Sequence, residues 1–150
     1  MPWTEKQLAY MAGIVDGEGT IVLVSCYSVS KGKKRERYAI RIQVYNNDPS
    51  LMVWLTENFG GSFSSVKRRG NRATSYQWGI SHAKAAILAR ELIPYLVIKS
   101  RQAQILVNFS STMRRTGRKG TPENILQMRR SMWSEMHTLN CRGVSRALAA

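Results

Sequence analysis

An acidic side chain at the end of the first predicted helix is the leading candidate for chemistry in this sequence. Glu18 lies in the segment Asp16-Gly17-Glu18-Gly19, whose glycines favour the end of a helix. A carboxylate beside a backbone carbonyl, here that of Gly17, forms an oxygen-rich group of the kind that binds Mg²⁺. Taken alone, these four residues are more often a solvated turn, so the surrounding sequence must decide between the two interpretations.

Small residues on the same helix predict a close contact with a second backbone. Gly13 and Gly17 are four residues apart and share one helix face, and Ala9 and Ala12 extend that surface. Each glycine inside a helix costs roughly 1 kcal/mol relative to alanine, so close packing has to compensate. The packing partner is either the chain's own sheet or another helix, and the spacing alone leaves both open.

Hydrophobic periodicity and turn residues predict nine elements that position these side chains. The predicted helices begin near Thr4, Asp48, Ser81, Leu96 and Thr121, and the predicted strands span 20–27, 38–46, 62–66 and 74–80. Two successive α-β-β units predict an α+β fold, with helices on one side of a four-stranded antiparallel sheet and extra C-terminal helices. We expect one domain over residues 1–143 and a frayed tail over 144–150.

The charge balance indicates an anionic partner. Lysine and arginine number 23 against 9 acidic residues, which gives a formal net charge of +14. Such an excess repels itself unless it is neutralised, and nucleic acid is the usual partner. The hydrophobic fraction of 43% is enough for a core and excludes a disordered chain.

Other sequence features exclude several classes of protein. No apolar run approaches the ~18 residues of a membrane-spanning helix, so we expect no membrane partner. The N-terminal residues lack the features of a secretory signal. Cys26 and Cys141 have no partners at zinc-finger spacing. We therefore expect an intracellular protein that is not secreted and has two free thiols.

The period of two along the strands predicts that the sheet has an open face opposite the helices, and this face would contact the bases if the anionic partner is DNA. Arginine and glutamine side chains on such a face can bind base edges in the major groove. The residues predicted there are Val22, Val24, Cys26, Arg37, Arg41, Gln43, Tyr45, Ser62, Ser64, Ser75 and Gln77, with Phe63, Tyr76, Trp78 and Ile80 on the inner face. A register error of one residue would exchange the two faces.

Basic residues at the predicted hairpin tips and in a later loop predict contacts with phosphate, which set affinity more than sequence preference. They are Lys33, Lys34, Arg35, Lys67, Arg68, Arg69, Arg72, Arg114, Arg115, Arg118 and Lys119. Solubility is the alternative role, but few acidic residues are interspersed among them.

The segment Tyr10-Met11-Ala12-Gly13-Ile14-Val15-Asp16-Gly17-Glu18-Gly19 resembles the signature of the LAGLIDADG homing endonucleases. The αββαββα order and the stretch from Pro94 to Lys99 are also similar to that family, so the resemblance covers nearly the whole chain. It implies a site-specific endonuclease that cuts both strands of DNA and is encoded in an intron or an intein. The single copy of the motif implies a homodimer with a long, pseudo-palindromic target.

The resemblance also implies roles for individual residues. Glu18 and the Gly17 carbonyl would hold the Mg²⁺, and Mn²⁺ or Ca²⁺ can occupy the same sites. Asn46 matches a position that orders water near the metal, and Lys99 matches a lysine that supports the attacking water or the phosphate charge.

The first helix is implied to form the dimer interface. The residues expected there are Ala9, Ala12, Gly13, Asp16 and Gly17, and Asp16 is also expected to tie the helix end to its neighbour. Two positions depart from the family pattern. Glu18 stands where Asp is commoner, and Ser50 stands where some relatives have a basic residue.

A binding module that has lost cleavage is the main alternative function. It would be an RNA maturase that assists intron splicing, which makes intron RNA a further candidate partner, or a DNA-binding regulator on the same scaffold. The resemblance places either protein in a bacterial or phage-infected cytoplasm, or in an organelle such as a chloroplast or mitochondrion.

Overall fold

A computed structural model describes residues 3–67, 69–70, 74–113 and 120–141 of the 150-residue chain. This part contains five helices and four strands in the predicted order. Their bounds are α1 Glu5–Glu18, β1 Gly19–Ser30, β2 Lys33–Asn46, α2 Pro49–Phe59, β3 Ser62–Val66, β4 Ser75–Ser81, α3 His82–Leu92, α4 Ser100–Ser111 and α5 Glu123–Asn140. The predicted tail, 144–150, lies outside the described residues.

The sheet has the strand order β1-β2-β4-β3, and every neighbouring pair is antiparallel. One face is buried against the helices, and its side chains are Ile21, Leu23, Ile40, Ile42, Val44, Trp78 and Ile80. These residues alternate with partly or fully exposed ones, as a half-buried sheet requires. The predicted α+β architecture, with helices on one side of a four-stranded sheet, is confirmed.

Helix α1 begins where its capping residues predict. The Thr4 hydroxyl accepts the Gln7 N–H at 3.2 Å, and the Gln7 side chain accepts the Thr4 N–H at 2.9 Å, which completes a capping box. The helix then buries one stripe, formed by Leu8, Met11, Ala12 and Val15, against the sheet and the other helices. This stripe fixes which face of α1 points outward.

The first hairpin is longer than the sequence pattern predicts. Its turn is formed by Lys31 and Gly32 alone, with φ values of 50° and 73°. Two consecutive positive φ angles make the tight turn that matches strand twist. The predicted start of the second strand at residue 38 is therefore wrong, because Lys33, Lys34 and Arg35, expected at the hairpin tip, lie on β2. Alternation fails as a predictor here because the far end of this hairpin is mostly exposed on both faces.

Helix α4 starts at Ser100, later than its predicted start near Leu96. The backbone N–H groups of Val97, Ile98 and Lys99 donate to the Asp16 side chain. The segment is therefore held outside the helix by a side chain from α1. Within the described ranges, no helix combines the length and apolar character needed to cross a bilayer.

Candidate active site and nucleic-acid interface

Glu18 is the last residue of α1, and its side chain is exposed. The chain passes directly into β1 because residue 19 is glycine. A Cβ at Gly19 would lie 2.6 Å from the Val15 Cα, a separation that real side chains do not adopt. The Gly19 N–H donates to the Val15 carbonyl and closes the helix. Glu18 is thereby fixed at the junction of helix and sheet.

Asp16 ties this helix end to the segment before α4. Its carboxylate accepts the N–H of Val97 at 2.8 Å, of Ile98 at 3.2 Å and of Lys99 at 2.9 Å. Because these donors satisfy the carboxylate, Asp16 has a structural role in the chain. This arrangement agrees with the implied role of tying the helix end to its neighbour.

The Lys99 ammonium lies at the C-terminal end of α1. Its Nζ donates to the carbonyl oxygens of Val15 and Asp16, each at 2.7 Å. The C-terminal carbonyls of a helix carry partial negative charge, so a cation is favoured there. Residues 99 and 18 are therefore brought to the same helix terminus, although they are distant in sequence.

Asn46 lies at the same end of the sheet as Glu18. Gly19, the first residue of β1, is directly opposite Val44 on β2. Glu18 precedes Gly19 at the end of α1, and Asn46 is the last residue of β2. The Asn46 Oδ1 accepts the Asp48 N–H at 2.9 Å, which fixes the orientation of the amide. The position agrees with the implied place near the acidic residue, and the role in ordering water stays a prediction.

The described acidic residues of one chain do not form a complete set of metal ligands. Among the described residues, no group of three or more histidine, cysteine or acidic side chains could hold an ion together. At the end of α1, Asp16 is occupied by backbone donors and Glu18 is exposed. The donor set is therefore one carboxylate with nearby backbone oxygens, which suits Mg²⁺ because this ion usually keeps waters and substrate phosphates as ligands.

The outward face of α1 carries small side chains. A Cβ added at Gly13 or Gly17 would meet no atom of the described residues within 4 Å. The packing of this chain therefore does not require either glycine. Ala9 is exposed beside them, whereas Ala12 is fully buried. Placing Ala12 in the dimer interface is wrong, because it belongs to the stripe that packs into the chain's own core.

The open face of the sheet has the predicted register. Val22 lies opposite Arg41, Val24 opposite Ala39, and Cys26 opposite Arg37. Gln43 lies opposite Gly79 and Tyr45 opposite Gln77, while β3 adds Ser62 and Ser64 on the same face. These side chains are partly or fully exposed. The predicted set thus forms one continuous surface, except at one position.

That position is Ser75, whose expected contact with DNA is contradicted. It lies on the open side by alternation, yet only 2% of its surface is exposed. It lies opposite Val66 in the register of β3 and β4. Phe63 also differs from expectation, because 39% of it remains exposed on the edge strand β3.

The sequence analysis missed several residues of this face, and three of them lie close to Arg41 and Gln43. Thr20 lies opposite Gln43, and Ser81 lies opposite Arg41. Gly79, which has no side chain, helps to line a pocket of about 180 Å³ with Arg41, Gln43 and Ser81. Strand alternation could have identified Thr20 and Ser81, and a glycine inside a strand is typical of a close approach by a ligand or backbone.

The basic residues divide between the two faces of the first hairpin. By alternation Lys33, Arg35 and Arg37 share the open face with Arg41. Lys34 points the other way, with its Nζ 4.0 Å from the centre of the Tyr27 ring. Lys34 therefore lies on the opposite face from Lys33 and Arg35, because adjacent strand residues face opposite sides, and its expected contact with phosphate stays a prediction.

At the second hairpin, Lys67 and Arg69 are exposed. Six of the predicted phosphate contacts, Arg68, Arg72, Arg114, Arg115, Arg118 and Lys119, lie outside the described residues. The open face has no acidic side chain, because Glu36 is the one acid in the four strands and points toward the helices. The electrostatic field of this face therefore favours a polyanion.

Ser50, which departs from the family pattern, has a local structural role. Its backbone N–H and its hydroxyl donate to the Asp48 Oδ1 at 2.8 and 2.6 Å. These two bonds hold the pKa of Asp48 below its usual value, with the hydroxyl as the larger cause. Ser50 thus completes the N-terminal cap of α2.

The chain was compared with known proteins in its sequence and in its fold. The family model described as LAGLIDADG endonuclease matches residues 11–112. No match was found among curated proteins.

Several solved structures share the fold at low sequence identity. The homing endonuclease I-CvuI, in complex with the I-CreI target, superimposes with a TM-score of 0.72 at 16% identity, over 93% of this chain and 85% of that one. The archaeal intron-encoded homing endonuclease I-Vdi141I, complexed with DNA, has a TM-score of 0.72 at 14% identity, over 93% and 87%. I-SmaMI bound to cleaved DNA has a TM-score of 0.67 at 16% identity, over 89% of this chain and 45% of its own.

Proposed function

Because the chain belongs to the LAGLIDADG endonuclease family, we propose that it is a homodimeric, metal-dependent endonuclease that cuts both strands of one long, pseudo-palindromic DNA site. The observation that carries this proposal is the position of Glu18. Its exposed carboxylate lies where the small-residue face of α1 meets the acid-free face of the sheet. An interface between subunits and a DNA surface thus adjoin one acidic group.

The open sheet face binds the DNA. Strands fit the major groove, where arginine and glutamine can each pair with a base edge. Arg41 and Gln43 occupy the centre of this face, and the exposed lysines and arginines of the hairpins neutralise phosphates at its margins. The DNA complexes of I-CvuI and I-Vdi141I support this assignment by analogy.

A second copy of the chain covers the outward face of α1. Gly13 and Gly17 leave open space there for the backbone of a partner helix. Apolar side chains at the same end of α1 are exposed, with Val97 at 87% and Ile98 at 58%. Contact between identical faces buries these groups, and two-fold symmetry brings the two Glu18 carboxylates close to the axis.

Glu18 and the Gly17 carbonyl hold the metal ion, with Mg²⁺ as the expected ion and Mn²⁺ or Ca²⁺ as substitutes. The crystal structures of I-CvuI with DNA were determined in the presence of Mg, where the DNA was not cleaved, or of Ca, and they support a divalent-ion site by analogy. When bound there, a divalent ion would activate water for attack and stabilise negative charge on the phosphate. Glu in place of Asp carries the carboxylate one methylene further from the helix end.

Lys99 and Asn46 complete the proposed site. The Lys99 ammonium, held by the last carbonyls of α1, places positive charge next to Glu18 and stabilises the phosphate as negative charge develops there. The Asn46 amide, oriented by its bond to Asp48, orders the attacking water. Hydrogen bonds within the chain already hold both side chains in these positions.

The test uses supercoiled plasmid that carries the insertion site of the chain's own gene without the intron. We expect site-specific linear product with Mg²⁺ and none after chelation. Glu18→Gln should eliminate cleavage and retain specific binding, because it removes the charge and keeps the shape. The matched control is Glu57→Gln, which changes an exposed acid on α2 and should cut at the wild-type rate.

Two outcomes would overturn this function. Cleavage by Glu18→Gln at the wild-type rate would exclude the metal role of that residue. Tight binding to the intron RNA, without any nicking of the plasmid, would assign the chain to the maturases instead.

A further inference from the structure

Arg130 on α5 makes a two-sided ion pair that reaches the first hairpin. Its Nε lies 3.1 Å from both carboxylate oxygens of Glu36 on β2, and one terminal nitrogen lies 2.8 Å from Glu123. Hydrogen bonds to Glu123 and then to Glu36 raise the pKa of the Arg130 guanidinium above its ordinary value. The guanidinium therefore connects the C-terminal helix with a DNA-facing strand.

Glu36 is unusual for its position. It is the one acidic residue in the hairpin Gly19–Asn46, which also carries six lysines and arginines. Its neighbours Arg35 and Arg37 face the open side, whereas Glu36 faces α5. A carboxylate here weakens the attraction of the hairpin for phosphate, so its presence needs a different physical reason.

The inner side of the first hairpin contacts the helices at only some positions. The inner side of the hairpin and the helices α4 and α5 border an open groove of about 810 Å³. Tyr38 contacts Phe109 across it with ring centres 5.4 Å apart. Beyond Tyr38, toward the turn, Glu36 makes the next described contact with a helix. An ion pair thus connects the hairpin with α5 beyond the Tyr38–Phe109 contact.

The helix end of this connection is itself anchored. Arg129, which is 8% exposed, donates to the Thr112 hydroxyl at 3.1 Å and to the Thr112 carbonyl at the end of α4. Burial lowers the pKa of its guanidinium. Adjacent residues on a helix point about 100° apart, so Arg129 fixes α5 to α4 while Arg130 extends to β2. The residue next to Arg130 therefore anchors α5 to the end of α4.

We propose that Arg130 is a positioning residue for sequence recognition, which holds the outer half of the first hairpin through Glu36. The inference rests on the proposed function, in which the open face of this hairpin reads DNA. Arg130 does not contact the bases. It fixes the strand whose opposite side presents Arg35 and Arg37, and it thereby sets specificity at the base pairs furthest from the dimer axis.

An electrostatic role of Glu36 and a role in positioning the hairpin predict opposite effects of Glu36→Gln on specific binding. Removal of a negative charge near DNA strengthens binding to every sequence if electrostatics alone is involved. Loss of the ion pair frees the hairpin, which weakens binding to the specific site and leaves binding to unrelated DNA equal or stronger. The sign of the change at the specific site therefore separates the two explanations.

The experiment compares Glu36→Gln, Arg130→Gln and the double variant. Binding is measured to the insertion-site duplex and to a shuffled duplex of the same composition, and amide hydrogen exchange is measured on the free protein. We expect about two- to fivefold weaker specific binding for each single variant, the range of an exposed ion pair. The double variant should lose no more than the singles. Exchange should rise over residues 27–37 in all three.

Glu135→Gln is the matched control, because it breaks the Arg101–Glu135 ion pair, 2.6 Å long, between α4 and α5. It should leave exchange in the hairpin unchanged. Unchanged hairpin exchange in Arg130→Gln, or tighter specific binding by Glu36→Gln, would overturn the inference. If the wild-type chain does not prefer the insertion site, the proposed function fails first, whatever the exchange result.

Discussion

Asp16 and Lys99 bind each other through both backbone and side chain. The Lys99 N–H donates to the Asp16 carboxylate at 2.9 Å, and the Lys99 ammonium donates to the Asp16 carbonyl at 2.7 Å. The two residues are 83 positions apart. This reciprocal contact fixes the end of α1, and with it Glu18, relative to the segment that leads into α4.

Replacement of Asp16 by alanine should destabilise the fold. Three backbone N–H groups would lose their acceptor, and bonds to a charged group are the stronger kind, so we expect a loss of about 3 kcal/mol in the free energy of unfolding. Urea denaturation measures it. Asp16→Asn should recover part of the loss, because one oxygen still accepts. A loss below about 0.5 kcal/mol in Asp16→Ala would contradict the role.

Gly13→Leu should separate folding from dimerisation. The chain should still unfold cooperatively, because no described atom occupies the space beside Gly13. Two-fold symmetry introduces the larger side chain twice into the proposed interface, so we expect dimerisation to weaken by about 30-fold or more. Sedimentation velocity measures the change.

The control for Gly13→Leu is Ala83→Leu, at an exposed position on α3, which should remain dimeric. If Gly13→Leu fails to fold while the control folds, Gly13 serves the packing of its own subunit instead. If Gly13→Leu dimerises like the wild type, the dimer interface does not lie on this face of α1.

Arg41 and Arg69 should respond differently to alanine substitution. Arg41 lies centrally on the open face between Val22 and Ser81, so its loss should relax specificity at one base pair by about 1–3 kcal/mol. Arg69 is exposed at the second hairpin, so its loss should weaken all sequences and reduce the salt slope by about 1. Titrations at several salt concentrations test both. If both variants weaken binding to all DNA sequences equally, Arg41 does not contact the bases.

The cap of α2 predicts a pH dependence of stability. The pKa of Asp48 is lowered in the folded state from its ordinary value of 3.8, so the charged cap stabilises the fold above that value. This contribution is lost as the pH falls through the lowered pKa, because both states are then protonated. The difference in unfolding free energy between wild type and Asp48→Asn should therefore shrink on acidification below about pH 4. A difference that grows on acidification would contradict the assignment.

Local signals in the sequence were sufficient for much of the fold. Thr4 with Gln7, and Asp48 with Pro49, begin their helices as predicted, because a cap depends on residues within one turn. The register of the sheet followed from alternation, since Ile21 and Leu23 had to face the core. These features depend on neighbours in the sequence.

The errors occurred where distant contacts decide the outcome. Ala12 lies beside Gly13 in sequence, but the rotation of the helix turns it into the core. The burial of Ser75 depends on its surroundings in the sheet, which its own sequence neighbours do not reveal. Arg130 was not identified at all, because its partner Glu36 is 94 residues away and no short pattern connects them.

Asn140, the last residue of α5, donates its side-chain amide to the Ile21 carbonyl at 2.9 Å. Strand β1 is an outer strand of the sheet, and a bare outer strand is a template on which another chain can add. The last turn of α5 therefore occupies one backbone acceptor of this outer strand. Shortened forms that stop before Asn140 would lose this bond, and any loss of solubility in them should not be mistaken for a defect in cleavage.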